Sequence, residues 1–359
     1  MSTGITVTQS ADLITSTLPK MPRGKWTDTY KYQQCALLES ASADSARKSG
    51  GGTRWEMRIR LRENLTAKGV DLFEISPTLR IKVMEKSSAE WTHSDADLIY
   101  DAREMQMNVS SQEEVIPWLA TQEAAQLESM ANWWEENGWL PRISATDTKS
   151  LDGVPYWIRT LATGVADPVG GFNGITTYYR SGASSTLYGG IDASLADNNR
   201  LRNWVATHGG MTVDLVNQIR TARRRVRFKA PPNMDGKGNT NSLAGFNIYM
   251  SQDFADEYER LVNAGPDDRN GDVSPRNSGT TVVGLQYTAV PALDAVSYQP
   301  VYGFSSRHLY MVTLKGMWMD KGRPLPVGSN PLIIQQKIFA SGNFFCENPR
   351  ATFCLHRQR

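Results

Sequence analysis

Apolar residues recur at two spacings along this chain, and each spacing predicts a different kind of element. Between residues 54 and 62, apolar and mostly basic residues alternate strictly, which predicts a half-buried strand with a basic exposed face. The apolar positions are Trp55, Met57, Ile59 and Leu61, and the charged ones are Arg54, Glu56, Arg58, Arg60 and Arg62. Residues 79–84 alternate similarly, so the sequence predicts a two-stranded ribbon. A ribbon alone is marginally stable, so it must pack on its own domain or on a neighbouring molecule.

Helical spacing is clearest over residues 112–137, where apolar side chains recur every three or four positions. Ser111 and Glu114 fit a capping box, and Asn137-Gly138 is typical of a helix end. A helix of about 26 residues, rising about 1.5 Å per residue, spans about 39 Å. We expect Leu127 on its buried stripe and Gln126 on its exposed side.

Shorter patterns predict the remaining elements. The first are a glycine hinge over residues 48–52 and a turn into an apolar strand over 153–158. Two amphipathic helices follow, capped by Thr212 and Ser251, with strands over 246–250 and 309–319. Residues 332–346 and 351–356 are expected to form a closing strand pair that fixes the C-terminus in the fold.

Composition narrows the class of protein. A chain of 359 residues predicts two or three substructures, and 40% apolar with 21% charged residues is ordinary for a folded soluble protein. The net charge of +2 gives no overall basic field for holding nucleic acid. The cysteines (Cys35, Cys346 and Cys354) have no zinc or disulfide-framework spacing, which favours a reducing compartment. No apolar run is long enough to span a bilayer, so we expect no membrane association.

Motifs for catalysis are absent from the sequence. The glycines at 170, 171 and 174 lack the strand–helix setting of a dinucleotide loop, and residues 236–240 do not form a phosphate-binding loop. The acidic run from Asp268 lacks the later ligands of a calcium loop. The four histidines are too scattered for a metal site or a triad. We therefore predict no catalytic residues, no metal and no cofactor.

A basic cluster marks the end of the first amphipathic helix: Arg220, Arg223, Arg224, Arg225 and Arg227. Three interpretations are open. The arginines can be a solvated or salt-bridged helix end, since cations are favoured at a helix C-terminus. They can contact acidic groups of a neighbouring subunit. They can also contact the phosphates of a packaged nucleic acid.

The order of these parts resembles one known family. The chain resembles the major capsid proteins of tailed bacteriophages, which have the Hong Kong 97-like shell fold. The shared order is a polar arm, a glycine hinge, a basic ribbon, a capped long helix, a glycine-rich stretch, two later helices and closing strands. The resemblance covers the whole chain by element order. Its local matches are residues 153–158, 170–174, 300–303 and 346–356.

The resemblance implies an α+β fold with four parts. These are an N-terminal arm with a short helix (1–45), an extended loop formed by the ribbon (46–88), a peripheral domain with the spine helix 112–137 (89–140 plus 331–359), and an axial domain (141–330). It also implies intersubunit contacts by the ribbon, for which the candidate residues are Arg54, Trp55, Arg58, Arg60, Arg62 and Lys68.

The function that the resemblance implies is structural. The chain is expected to assemble with itself, as hexamers and pentamers, into an icosahedral head shell around double-stranded DNA. A separate scaffolding protein, a portal, a decoration protein and weak contact with DNA are the other expected partners. The expected location is the virion, after assembly in the host bacterial cytoplasm. The alternatives are an encapsulin-like compartment shell and an enzyme of unrecognised class.

Overall fold

The computed structural model describes residues 35–42, 48–62, 69, 71–72, 82–107, 112–226, 246–263, 281–282, 284–328 and 330–358. Most of the predicted arm lies outside these residues, and so do Lys68 and Arg227. The helices in this part of the chain are α1 (Ala36–Ser42), α2 (Ala102–Met107), α3 (Gln112–Trp139), α4 (Val154–Trp157), α5 (Val213–Arg225) and α6 (Gln252–Asn263).

The strands fall into early, middle and late groups. The early strands are β1 (Lys48–Gly50), β2 (Arg54–Arg60), β3 (Met84–Glu90) and β4 (Thr92–Asp101). The middle strands are β5 (Gly171–Gly174), β6 (Thr177–Tyr178), β7 (Ser184–Ser185), β8 (Leu187–Tyr188), β9 (Ile191–Asp192), β10 (Asn203–His208) and β11 (Phe246–Met250). The late strands are β12 (Thr281–Val282), β13 (Leu285–Ala289), β14 (Val301–Ser305), β15 (Leu309–Leu314), β16 (Asp320–Lys321), β17 (Leu325–Val327), β18 (Asn330–Cys346) and β19 (Phe353–Arg357).

Contacts divide the chain into two compact units. Among the described residues, the first unit comprises His93–Trp133 and Gly316–Ala340, and the second comprises the rest. Three of the four limits fall inside continuous elements, within β4, α3 and β18, and the fourth follows the end of β15. The domain limits expected from the resemblance (89–140 with 331–359, and 141–330) differ from this division and stay a prediction.

The second unit is built on a seven-stranded mixed sheet with the order β12-β13-β11-β14-β19-β10-β5. Alternate residues of its strands face one hydrophobic cluster, which includes Trp204, Ala206, Ile248 and Phe353. The buried stripes of α5 and α6 contribute to the same cluster through Leu215, Ile219, Ala222, Phe254 and Ala255. Both helices therefore cover the same face of the sheet, because successive strand residues point to opposite faces.

The first unit contains the longer part of α3 and the early half of β18, which pairs with β16, β17 and β4. Its helix corrects one prediction. Gln126 is 7% exposed and donates from Nε2 to the carbonyl oxygens of Ala96 and Gln336, whereas Leu127 is only half-buried. The buried face of α3 therefore includes Gln126 and Met130. The polar side chain of Gln126 is stable in this buried position because the two backbone carbonyls accept its hydrogen bonds.

The closing strands do not pair with each other, so that prediction is wrong. Residues 342–346 of β18 pair with β15, while β19 lies between β10 and β14 in the seven-stranded sheet. The turn at Pro349–Ala351 thus sends the chain from one sheet to another. All three cysteines are free, and Cys346 and Cys354 are buried.

Three local predictions also differ from the structure. Residues Val154–Trp157 form a helical turn rather than a strand, since Pro155 has the fixed φ that suits the start of a helix. Lys48–Gly50 pair with β15 instead of forming a hinge, and only Gly51, Gly52 and Thr53 lie between β1 and β2. Thr212 makes no capping hydrogen bond through its side chain. The cap predicted at Ser251 is confirmed, because its Oγ accepts from the amide of Phe254 at 3.3 Å.

Candidate intersubunit surfaces

The ribbon is an antiparallel pair of β2 and β3, in register from Arg54 opposite Glu90 to Arg60 opposite Met84. The return strand is thus β3 and not residues 79–84, of which 79–81 lie outside the described part of the chain. Exposure alternates along β2 as predicted: the charged residues are exposed and the apolar ones are half-buried.

The apolar face of the ribbon packs on its own subunit. Trp55 lies against Gly50, where an added Cβ would meet its ring at 2.5 Å. The hydroxyl of Tyr310 donates to the sulfur of Met57 at 3.5 Å, and Leu61 is 2% exposed. In the described part of the ribbon this face thus contacts its own unit, and a contact of the same face with a neighbouring subunit stays a prediction. Trp55 is a packing residue of its own unit.

The charged face divides into residues with and without partners in the chain. Glu56 forms ion pairs with Lys86 at 2.5 Å and with Arg54 at 3.8 Å, and Arg62 pairs with Asp197 at 3.2 Å. Arg58 and Arg60 are exposed and form no ion pair with any residue of the described ranges. Of the predicted ribbon contacts, these two remain the best suited to meet another molecule.

A buried polar network holds the end of β3. Asn343 donates from Nδ2 to the backbone oxygen of Glu90 at 2.8 Å and to Asp152 Oδ2 at 3.0 Å. Arg142 pairs with the same carboxylate at 2.8 Å. Burial raises the pKa of Asp152 to about 6, although Arg142 and Asn343 oppose the shift. The root of the ribbon is therefore fixed to β18 and to the segment after α3.

A second buried carboxylate holds the start of α1. Glu135 accepts from the backbone amides of Leu37 and Leu38 at 2.9 Å each, and from Trp139 Nε1 at 2.7 Å. A carboxylate at this position satisfies amides that have no partner within the helix. Burial raises the pKa of Glu135 despite these donors. The chain is thus anchored where the predicted arm joins the described residues.

The basic cluster lies on α5 and faces solvent. Arg220, Arg224 and Arg225 are exposed, and Arg223 is half-buried. The Nη1 of Arg220 lies 3.4 Å from the side-chain oxygen of Asn217 on the same helix. The structure therefore brings four of the five predicted arginines together on one helix.

Sequence reasoning missed an apolar hairpin in the first unit. We use this name for β17 and the first residues of β18, which pair from Leu325 opposite Gln335 to Val327 opposite Asn330. Leu325 is 64% exposed and Leu332 38% exposed. The alternating prolines at 324 and 326 could have indicated it, because proline within a strand is found at edges.

Clusters of metal-binding side chains are not found in the described part of the chain. There, no group of three or more His, Cys, Asp or Glu side chains is placed to hold a metal ion. His208 is buried, which lowers its pKa to about 4, and its Nε2 lies 3.2 Å from the backbone oxygen of Gln299. Among the helices described, none has the length and apolarity needed to cross a bilayer.

Solved structures share this architecture. Neither a family model nor a curated protein matches the sequence. The capsid of cyanophage A-1(L) is similar with a TM-score of 0.63 and 11% identity, over 94% of this chain and 96% of that one. The capsid of a native GTA particle is similar with a TM-score of 0.58 and 10% identity, over 95% of each chain. The chain has the Hong Kong 97-like capsid fold.

The likeness extends to a third capsid and spans nearly whole chains. The capsid of Myoviridae phage XM1 is similar with a TM-score of 0.53 and 10% identity, over 95% of this chain and 97% of that one. The predicted α+β capsid fold is thereby confirmed. Within the described residues, the ribbon, the long helix and the two last strands follow one another in the predicted order.

Proposed function

We propose that this protein is the major capsid protein of a tailed bacteriophage, a structural subunit that assembles into an icosahedral shell around double-stranded DNA. The observation that carries the proposal is the likeness to phage capsids over at least 94% of both chains. Two surfaces support it: the exposed apolar hairpin, and Arg58 and Arg60 of the anchored ribbon, which form no ion pair within the described ranges. Exposed apolar patches and unpaired charges of this kind are typical of interaction surfaces.

The proposal also covers the assembly partners of the subunit and its location. The subunit contacts itself in hexamers and pentamers, and a separate scaffolding protein and a portal direct assembly in the host bacterial cytoplasm. A decoration protein binds outside, and packaged DNA is contacted weakly because the net charge is only +2. The finished location is the virion. The chain is not an enzyme, and the four-part domain division of the fold applies to it.

The test is to express the protein and image the purified product by negative-stain microscopy after size-exclusion chromatography, with and without its proposed scaffold. We expect closed shells of uniform size. A small discrete oligomer under both conditions would overturn the proposal. Shells that never take up DNA when produced in an infected host would instead identify a compartment protein.

A further inference from the structure

The exposed face of α5 is basic. The buried side of this helix is fixed by Leu215, Ile219 and Ala222, which are at most 1% exposed. The opposite side therefore points outward, and it carries Arg220, Arg224 and the adjacent Arg225. Since the helix is held by the core cluster, this surface has a defined orientation.

The exposed face of α6 is acidic. Phe254 and Ala255 are buried in the same cluster. The outward positions carry the carboxylates of Asp253, Asp256, Glu257 and Glu259, with Arg260 as the single cation among them. Glu259 accepts a hydrogen bond from the hydroxyl of Tyr287 at 3.1 Å, which leaves the other three carboxylates as the freer ones.

The two helices share one side of one sheet yet do not neutralise each other. In the described part of the chain, no ion pair involves any residue of the basic set or of the acidic set. The basic set is Arg220, Arg224 and Arg225, and the acidic set is Asp253, Asp256 and Glu257. Each copy thus presents two surfaces of opposite sign that form no ion pair with the residues that the structure describes.

We propose that the basic set of one copy contacts the acidic set of the next copy. This inference rests on the proposed function and identifies the partner of the arginine cluster. A contact between two different surfaces of identical subunits is heterologous, and it closes into a ring when the rotation per subunit allows. Complementary potentials steer the encounter and fix its register. A ring around an axis is what a pentamer or a hexamer requires.

Two other interpretations of the arginines fit less well. The helix dipole favours cations near the end of α5 and anions near the start of α6, each by about 0.3–1 kcal/mol. That effect acts within one subunit and needs no neighbour. Contact with nucleic acid would bring phosphates to the face of the sheet that also carries the α6 carboxylates, which would repel them.

The test uses charge reversal in the full-length chain. The acidic variant carries Arg220→Glu, Arg224→Glu and Arg225→Glu. The basic variant carries Asp253→Lys, Asp256→Lys and Glu257→Lys. The exchanged variant carries all six changes. The control for total charge, at exposed positions of the same unit, carries Lys149→Glu, Arg307→Glu and Lys315→Glu.

Oligomers are measured by mass photometry and sedimentation velocity at low and at high salt. We expect the acidic and basic variants each to associate at least about tenfold more weakly than the wild type, because like charges now meet. Mixing these two variants should restore association, since every contact in an alternating ring is again complementary. Such rings need an even number of copies, so hexamers should form and pentamers should not. The exchanged variant should form both.

The outcomes separate this inference from the proposed function. The α5–α6 contact would be overturned if the acidic and basic variants assembled like the wild type, or if their mixture stayed dissociated. In both cases, shells formed by the wild type would still support the capsid function. Loss of nucleic-acid retention alone in the acidic variant would also overturn the α5–α6 contact, in favour of phosphate contact. If the wild type never forms shells, the capsid proposal fails, and association between the two variants still decides the contact. Should a reversal prevent folding, the Arg→Gln and the Asp→Asn/Glu→Gln variants replace it, with weaker association expected.

Discussion

The ribbon of β2 and β3 and the apolar hairpin of β17 and β18 are both narrow antiparallel pairs, but their apolar residues lie in opposite environments. In the ribbon, Trp55 and Met57 pack on the same subunit and the exposed row is charged. In the hairpin, Leu325 and Leu332 are exposed to solvent. A narrow pair cannot bury its own apolar side chains, so each must pack on something else.

Alternation of apolar and charged residues reports which face of a strand is covered. Strict alternation marks a strand with one face already covered, and in this chain the cover comes from the subunit itself. The hairpin lacks alternation and keeps apolar area in water, at a cost of roughly 25 cal/mol per Å². Under the proposed function, neighbouring subunits recover that free energy, so we expect the hairpin to depend on assembly more than the ribbon does.

The largest effect is expected from charges placed on the hairpin. Replacing Leu325 and Leu332 with Asp should leave a folded subunit but reduce shell assembly by about a hundredfold. Burying a leucine contributes about 1.5–3 kcal/mol, and an unpaired buried charge opposes association further. Shell yield is measured by sedimentation, and circular dichroism checks the fold. Replacing the exposed Asp320 of the same unit with Asn is the control, and equal yields from all three proteins would contradict the hairpin's role.

The next effect distinguishes packing from assembly. Trp55→Ala should lower the free energy of unfolding of the isolated subunit by about 2 kcal/mol, below the 3–5 typical of a fully buried aromatic because Trp55 is half-buried. Leu325→Ala should change that free energy by less than about 0.5 kcal/mol, since its side chain has few contacts in the subunit. Urea titration measures both. A larger loss for Leu325→Ala than for Trp55→Ala would reverse our comparison.

A smaller effect is expected from pH on the free energy of unfolding, through the two buried groups Asp152 and His208. The pKa of Asp152 is raised to about 6, so its protonation adds stability as pH falls from above 6 towards the ordinary value of 3.8. The pKa of His208 is lowered to about 4, so the stability from its neutral form is lost as pH falls from 6.5 towards 4. The two contributions oppose each other between about pH 4 and 6.

Single variants should expose each contribution. Asp152→Asn should make stability fall more steeply with acid than in the wild type, and His208→Gln should make it fall less steeply. Each difference in slope is at most about 1.4 kcal/mol per pH unit. Thermal unfolding of the subunit between pH 4 and 7 measures these slopes. Parallel curves for all three proteins would show that neither group titrates as described.

Much of the fold follows from the sequence, and the exceptions have physical causes. The order of parts, the stripe of α5 and the alternation of β2 were predictable because periodicity reports which faces are buried. Gln126 was misplaced because the carbonyls that satisfy it belong to distant strands. The pairing of β18 and β19 was misjudged because nearness in sequence does not determine which sheet a strand joins.

The candidate surfaces were less predictable than the fold. Arg54, Arg58 and Arg60 were correctly placed on the exposed charged face of β2, but which ribbon residues meet partners within the subunit depends on tertiary contacts. Arg62 reaches Asp197, and no local pattern links these two residues. The apolar hairpin was missed because exposure of a leucine cannot be read from its neighbours in the sequence.

The smallest effect is expected from the charged row of the ribbon. Arg58→Glu with Arg60→Glu should leave subunit stability unchanged, because neither side chain has an ion pair in the described part of the chain. Shell assembly should fall severalfold, since exposed ion pairs contribute about 0.2–1 kcal/mol each, and the defect should shrink in high salt. Arg62→Glu is the contrasting variant: it breaks the pair with Asp197, so it should lower the free energy of unfolding of the subunit itself. Sedimentation and urea titration on both variants would reveal the difference, and an assembly defect that is insensitive to salt would argue that Arg58 and Arg60 do not act through charge.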